Sequence, residues 1–434
     1  MKRTIIVSIL VLTVLFCQSQ TIKTYTKKDG NGTQEMYYDC KQDGSGKIWF
    51  GGNRGLSKWD GSKFTLIEVK DTKYGIQLFL DKQKNLLILN SKNVLSKVRD
   101  NQVIEIGKFT QCSFSSDGTV WAIKDNSLFR YDGNLVEKMC SDDNSTVSTS
   151  FSDSKGNLWI ASGKSIYRFK DKDYVQFADK DGVDGSSVSN FLEDSKGRIW
   201  VTSRNSGIFC YNNDKWVVYE KKVGIYSNDV LDLVEDNKGI IWAAHYRAGI
   251  SYYDGLVWSG GKKGSGYHLN NPLEDNPNLF FPIIYIDNIG NLWFGCIGGD
   301  LQKFNGTDWE NQLHINAGSQ LLTIYNSKND VWIKSVTVGM YKGIGLNKYD
   351  LTTNKLTKVS NENVYQTLGS NNGVIWFYTD KGMYKYDDIN GYQEVIPHKA
   401  GFGWNVIHKF MLVDELGNVW AGYKDGIYCI SAKP

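Results

Sequence analysis

Nine tryptophans, Trp49, Trp121, Trp159, Trp200, Trp242, Trp293, Trp332, Trp376 and Trp420, each follow an aliphatic residue, and most close the pattern Asp-x-x-Gly-x-aliphatic-Trp. Leu87 stands in the tryptophan's place in a degenerate copy between the first two, so the chain carries ten copies spaced 34 to 51 residues apart. That period matches one four-stranded propeller blade, a unit that cannot bury its own faces and must stack on a neighbour. The expected fold is all-β, a β-propeller of about ten four-stranded blades with one repeat per blade. Two smaller rings, or a miscounted second blade, is the alternative arrangement.

One copy shows how the pattern folds. Phe191 to Glu193 ends an inner strand, Asp194-Ser195-Lys196-Gly197 turns, and Arg198-Ile199-Trp200-Val201-Thr202 begins the next strand. The aspartate can cap backbone N–H groups across the turn, and the glycine supplies the positive φ that the return requires. Equivalent turns are expected at Asp153–Gly156, Asp236–Gly239, Asp287–Gly290 and Asp414–Gly417. The run around Trp200 is apolar on both strand faces, the mark of a blade sandwiched between two others, so the tryptophans read as core. A second apolar anchor follows at Leu56, Val94, Leu128, Ile166, Ile208, Ile250, Leu301, Met383 and Ile427; only Leu346 breaks step. The last copy has no fourth strand after Gly426 to Ile430, whereas Thr21 to Tyr25 resembles an outer strand without a blade. Pairing the N-terminal strand with the last blade would close the ring and remove a bare edge.

The first residues stand outside the repeat. Lys2 and Arg3 precede an uncharged, largely apolar run and Cys17-Gln18-Ser19, which reads as a signal peptide over residues 1–19, with the propeller over 20–434. Acylation at Cys17 and an outer-membrane lipid anchor is the alternative, and Phe16 fits that motif poorly. No later segment approaches the roughly 20 apolar residues of a spanning helix. Periplasmic or extracellular localisation follows. Without Lys2 and Arg3 the 50 basic residues become 48, against 47 acidic ones, so the basic excess of a nucleic-acid-binding chain is missing. Cys40 and Cys112, and likewise Cys210 and Cys429, occupy equivalent places in non-adjacent blades, too far apart to bridge. They read as small buried hydrophobes, a Cys40 to Cys429 bond across the closure being the least implausible exception.

At Val230 to Trp242 and at Phe191 to Thr202, with Ser227-Asn228 before and Gly249 to Asp254 after, the chain resembles the two-component regulator propeller repeat. The resemblance implies a periplasmic sensor module of the kind found in membrane-bound histidine kinases, often for glycan fragments. The sequence shows no kinase or receiver pattern, so binding of a ligand or partner is what the resemblance carries over. Ser115 to Trp121 also resembles an Asp-box hairpin of sialidase-type propellers, which would call on arginines such as Arg54, Arg204 and Arg247.

Candidate binding residues are sought where loops depart from the period, since loops on a rigid scaffold carry function. Arg204, Asn228, His245, Tyr246 and Arg247 gather by sequence at the mouths of blades five and six. Tyr267 and His268 lie in the longest crossover, and Trp404 lies outside the repeated core positions. A glycan or peptide ligand, or a protein partner, suits this set of arginine, aromatic and amide groups. No nucleophile motif, metal-ligand spacing or cofactor signature is present. The carboxylates of Asp179, Asp181 and Asp184 depart from a calcium loop and lack its closing glutamate. A carbohydrate-active hydrolase or lyase with an acidic pair at the channel mouth, or a surface interaction scaffold, is the competing reading.

Overall fold

The computed structural model describes residues 21–26, 28, 37–114, 118–125, 127–131, 136–141, 147–170, 173–246, 249–260, 283–295, 300–305, 309–314, 319–327, 329–337, 345–362, 364–369, 374–379, 381–397, 411–423 and 426–431. Their strands form ten antiparallel sheets of four. Blades one to nine take their strands in chain order. Their inner strands are Tyr37–Gln42, Ile76–Leu80, Gln111–Phe114, Val147–Ser152, Val188–Glu193, Val230–Glu235, Ile283–Ile286, Ser319–Ser327 and Val364–Gly369. Blade ten consists of Met411–Val413, Val419–Tyr423, Gly426–Ile430 and, on its outer edge, Ile22–Tyr25. The N-terminal strand runs antiparallel to the last one, Ile22 opposite Ile430 and Tyr25 opposite Ile427.

The core is distributed as ten apolar clusters, one at each blade-to-blade interface. Each carries a marker residue from one blade against the strands of the next. Trp159 packs on Phe191, Val201 and Tyr211, Trp200 on Leu233, Ile241 and Tyr253, and Leu87 on Val120 and Ala122. The cluster of Trp420 and Ile427 with Phe50 and Phe64 joins blade ten to blade one, so the blades form one closed ring. All nine marker tryptophans are buried. At about 25 cal/mol per Å², an indole burying roughly 200 Å² contributes on the order of 5 kcal/mol before chain entropy is subtracted. The third-strand anchors are buried as expected except in blade two. There the register pairs Leu89 with Leu95, and Leu95 is fully buried while Val94 is only partly so.

The turns do more than reverse the chain. Oδ1 of Asp194 accepts the backbone N–H groups of Lys196 and Arg198 at 3.0 and 2.9 Å, while Oδ2 accepts the Trp200 indole N–H at 2.7 Å. The same aspartate-to-indole bond recurs from Trp49 to Asp43, Trp159 to Asp153, Trp242 to Asp236, Trp293 to Asp287 and Trp420 to Asp414, at 2.7 to 3.0 Å. Gly156, Gly197, Gly239, Gly290 and Gly417 all take positive φ. In blade two the pattern survives by substitution. Asn85 Nδ2 donates to Asp81, as Asn157, Asn291 and Asn418 do to their own turn aspartates, and Lys84 adopts the glycine conformation at φ 57°.

Adjacent turns are also linked. The Ser154 N–H and hydroxyl both donate to Glu193 of the next blade at 2.6 Å, and Ser195 repeats this with Glu235. At the closure the Glu415 N–H donates to Gln42 at 2.9 Å, with the same two positions of the repeat in contact. Cys40 and Cys429 both pack at this junction and both are free, so no disulfide reinforces it. Burial pushes the Cys112 and Cys210 thiols up to about 12 and that of Cys429 to about 11, as fits apolar packing.

Candidate functional site

The second-to-third strand loops and the outer-to-inner crossovers share one face of the ring. Between blades one and two this face holds a cavity of about 610 Å³ whose lining includes Tyr38, Asp39, Tyr74, Gln77, Asn90 and Asn93. Its walls are built by side-chain hydrogen bonds to backbone. The Tyr38 hydroxyl donates to the Lys73 carbonyl at 2.8 Å, Asn90 donates to the Lys70 carbonyl at 3.1 Å, and Asn93 donates to that of Thr110 at 3.1 Å. Tyr74, on the crossover so pinned, leaves 80% of its surface exposed, with the Lys73 ammonium 5.3 Å from the ring centroid. Gln77 is exposed beside it on the inner strand. An exposed aromatic face on a pinned crossover, with an amide and a carboxylate nearby, can stack on and hydrogen-bond a polar ring. Sequence reasoning missed Tyr74 because it ranked blades by loop length and this crossover is short. The available signal was a large aromatic directly before Gly75, where the repeat does not call for one.

Asp39 belongs to a second pattern that the spacing did not reveal. Near the loop-bearing end the inner strands of blades one, five and six shift register after Tyr37, Val188 and Val230. Such bulges re-aim side chains. Asp39 and Asn190 then accept the N–H of their own following residue, at 2.8 and 2.9 Å, and reach across to the next blade. Asp39 accepts the Leu78 N–H at 2.9 Å, and Asn190 donates to Asp232 at 2.7 Å. Burial raises the Asp232 carboxyl above its ordinary range, against the opposing bonds from Asn190 and the Leu233 N–H.

At blades five and six the structure brings Arg204 and Tyr246 together. Arg204 donates through Nε to Asp229 at 2.7 Å, and its guanidinium lies 5.0 Å from the Tyr246 ring centroid. The backbone fastens both loops: the Arg204 N–H donates to the Ser187 carbonyl and the Tyr246 N–H to that of Asp229, each at 2.9 Å. The Arg204 side chain remains 40% exposed, and its terminal nitrogens bond no described residue. Asn228 is partly buried and turned to a capping task, accepting the Lys221 N–H at 2.7 Å. His245 is placed apart from this mouth. It is fully buried, its Nε2 is 2.8 Å from the Ser251 hydroxyl, and burial lowers its pKa to about 4, only partly offset by the Ser227 backbone. Asp181 and Asp184 cap the Ala178 and Ser186 N–H groups in the neighbouring crossover. Arg247, Tyr267, His268 and Trp404, with Ser115 to Asp117 of the Asp-box-like segment, lie outside the described residues.

Residues 182–205 match the two component regulator propeller family. The matched stretch runs from the Gly182 crossover through the inner strand, the Asp194 turn and Trp200 to Asn205, so it includes Arg204. Solved structures of similar shape include the extracellular domain of a protein assigned to a hybrid two component system of B. thetaiotaomicron. It is 16% identical, with 91% of this chain and 63% of that one covered and a TM-score of 0.36. The extracellular domain of another such protein from B. thetaiotaomicron is 15% identical over 95% of this chain and 78% of its own, with a TM-score of 0.23. Virginiamycin B lyase from Staphylococcus aureus is 12% identical over 95% and 99%, with a TM-score of 0.33. The chain thus spans less than two thirds of the first of these structures. No curated protein sequence matches it. In the matched stretch of blade five, the turn and the tryptophan belong to the scaffold, whereas Arg204 stands on the loop face. Among the described residues, no helix is long and apolar enough to cross a membrane.

Proposed function

We propose that this regulator-type propeller is an exported binding module that receives a glycan fragment on its loop-bearing face. The observation that carries the reading is the cavity of about 610 Å³ with Tyr74 exposed at its rim and Asp39 and Gln77 in its lining. Its size lies within the roughly 300–1,000 Å³ usual for small-molecule sites, and its walls are pinned in the unliganded chain, which lowers the ordering cost of binding. A hydroxyl-rich ring stacked on Tyr74 would offer its edge to the amide and carboxylate. Arg204, held over Tyr246 by Asp229 at blades five and six, would be a separate contact on the same face for an acidic ligand. Export through a leader at residues 1–19 agrees with this use.

The test is a thermal-shift screen of the mature chain against neutral and acidic oligosaccharides and peptides, with product analysis of every hit. A glycan that raises Tm and is recovered intact supports the reading. Tyr74→Ala should weaken that hit at least tenfold, and Arg204→Ala should weaken acidic ligands more than neutral ones. Turnover of the ligand would make the propeller a carbohydrate-active enzyme, and hits confined to peptides would make it an interaction scaffold.

A further inference from the structure

A different site follows from comparing the ten blades position by position. Directly across the hairpin from each marker residue stands one residue of the third strand, and in seven blades it is a cation. Lys58 faces Trp49, Lys97 faces Leu87, Arg130 faces Trp121, Arg168 faces Trp159, Lys303 faces Trp293, Lys348 faces Trp332 and Lys385 faces Trp376. Several of these side chains continue to an aromatic ring or a turn of the next blade. The Arg168 guanidinium lies 5.8 Å from the Trp159 ring and 5.3 Å from that of Tyr211, and it donates to Asp214 at 3.4 Å. Lys303 sits 5.0 Å from the Tyr349 ring and donates to Asn354 at 3.2 Å. Lys348 repeats this with Tyr386 and Asp388, and Lys58 donates to Asn101. The cation wedged between blades, over aromatic rings and against an oxygen acceptor, is therefore a recurrent element of the scaffold.

Three blades depart from it. Cys210 of blade five is compensated by Arg198, whose guanidinium lies 4.9 Å from the Trp200 ring and 5.6 Å from that of Tyr253. In blade six Tyr252 places its own ring 5.3 Å from Trp242. In blade ten the residue facing Trp420 is Cys429, and the counterpart of Arg198 is Asn418, tied to Asp414 at 2.9 Å. Neither fills the space. A cavity of about 480 Å³ remains at the blade ten to blade one closure, lined among others by Tyr25, Trp59, Trp420, Cys429 and Asp60. The rings stand around it: Trp59 is 4.9 Å from Tyr25 and 5.8 Å from Trp420, and Tyr25 is 6.0 Å from Trp420. Asp60 is held ionised, its pKa lowered to about 2 by the Lys63 and Ser62 N–H groups and the Ser62 hydroxyl. Lys23, across from Cys429, is exposed and lines the same cavity, as does Lys47, but the Lys23 ammonium lies over no ring among the described residues.

We propose that this closure cavity binds an organic cation, a protonated amine on an aliphatic stem, which takes the position that lysine or arginine side chains occupy in the other blades. The aromatic rings would face the cation and the apolar stem, and Asp60 would take the N–H groups. Such a group reaches the site either on a lysine side chain of a peptide or as a free diamine.

The experiment measures binding to the folded mature chain by calorimetry and tryptophan fluorescence. The probes are Nα-acetyl-lysine-N-methylamide, 1,5-diaminopentane and the neutral isostere Nα-acetyl-norleucine-N-methylamide. Saturable binding of the amines, at least tenfold tighter than of the isostere, is expected, and the stronger of the two amines identifies the source. Cys429→Lys, which restores the cation of the repeat, should remove binding while raising Tm; Cys429→Ser should keep it. Asp60→Asn, on an exposed turn, should weaken the amines at least threefold and carries the test if Cys429→Lys does not fold. Equal binding of the isostere overturns the proposal, as does unchanged affinity in both Cys429→Lys and Asp60→Asn. Binding that appears only after Lys23→Ala would also overturn it, because the chain's own lysine would then occupy the site.

Discussion

Removing the carboxylate of Asp194 tests whether the aspartate-to-indole bond holds the blades or merely accompanies the turn. Asp194 is 4% exposed, and its two oxygens accept the Lys196 and Arg198 N–H groups, the Arg198 Nε–H and the Trp200 indole N–H. Asp194→Ala leaves the indole N–H of a fully buried tryptophan without its acceptor and deprives the Arg198 guanidinium of its ion-pair partner. An unmatched buried donor costs about 1–3 kcal/mol, and breaking a buried ion pair costs about 3–5 kcal/mol. Arg198 has some access to water, so the total expected for Asp194→Ala is about 4 kcal/mol. Trp200→Phe removes the donor and part of the interface. In Asp194→Ala/Trp200→Phe the orphaned N–H no longer exists, so the double variant should be about 1–3 kcal/mol more stable than the sum of the single losses. Urea unfolding at neutral pH, with the m-value checked for constancy across the four proteins, gives the cycle. Additivity within about 0.5 kcal/mol would refute the argument and reduce the bond to a passenger of turn geometry.

Two further expectations concern the buried histidine and the irregular turn. His245 has a folded pKa of about 4 against 6.5 when free, so as pH falls the unfolded chain binds the proton first. Its contribution is complete above pH 6.5 and is lost between there and pH 4, by about 3 kcal/mol at roughly 1.4 kcal/mol per unit. Urea midpoints from pH 7 to pH 4 should therefore fall more steeply for the wild type than for His245→Gln; parallel curves would contradict this. In blade two, Lys84→Gly relieves the φ of 57° that a β-carbon disfavours and should gain about 0.5–1 kcal/mol after the greater flexibility of unfolded glycine is counted. Lys84→Ala, which keeps the β-carbon, should show no gain in the same urea titration.

Most of the scaffold was legible in the sequence because its causes are local. Asp194, Gly197 and Trp200 sit within seven residues, and a hairpin turn with one buried strand face follows from that spacing alone. The closing strand was legible for a related reason, since Ile22 to Tyr25 and Gly426 to Ile430 each lacked a partner. The anchor of blade two was misplaced by one residue because strand register depends on which neighbour the side chain meets, and Leu95 rather than Val94 faces blade three. The loop face was read less well. Arg204 and Tyr246 met as their positions in adjacent repeats suggested, but His245, one residue from Tyr246, points into the interface and pairs with Ser251.

The sequence by itself determined the blade and the way the ends meet, because a repeat states the same local rule in each copy and the tryptophan marks where each blade leans on the next; that ten blades close into one ring was decided by the packing of blade ten on blade one. Only the tertiary structure decided what the exceptions do. Tyr74 became a rim residue when Tyr38 pinned its crossover, and Cys429 became the lining of a cavity when Trp59 and Tyr25 arrived from the other end of the chain. Neither effect lies in any one segment. Both arise because blade packing brings distant side chains together, 35 residues apart for Tyr38 and Lys73 and hundreds apart at the closure, where an exposed ring or a missing volume acquires a neighbour and hence a chemistry.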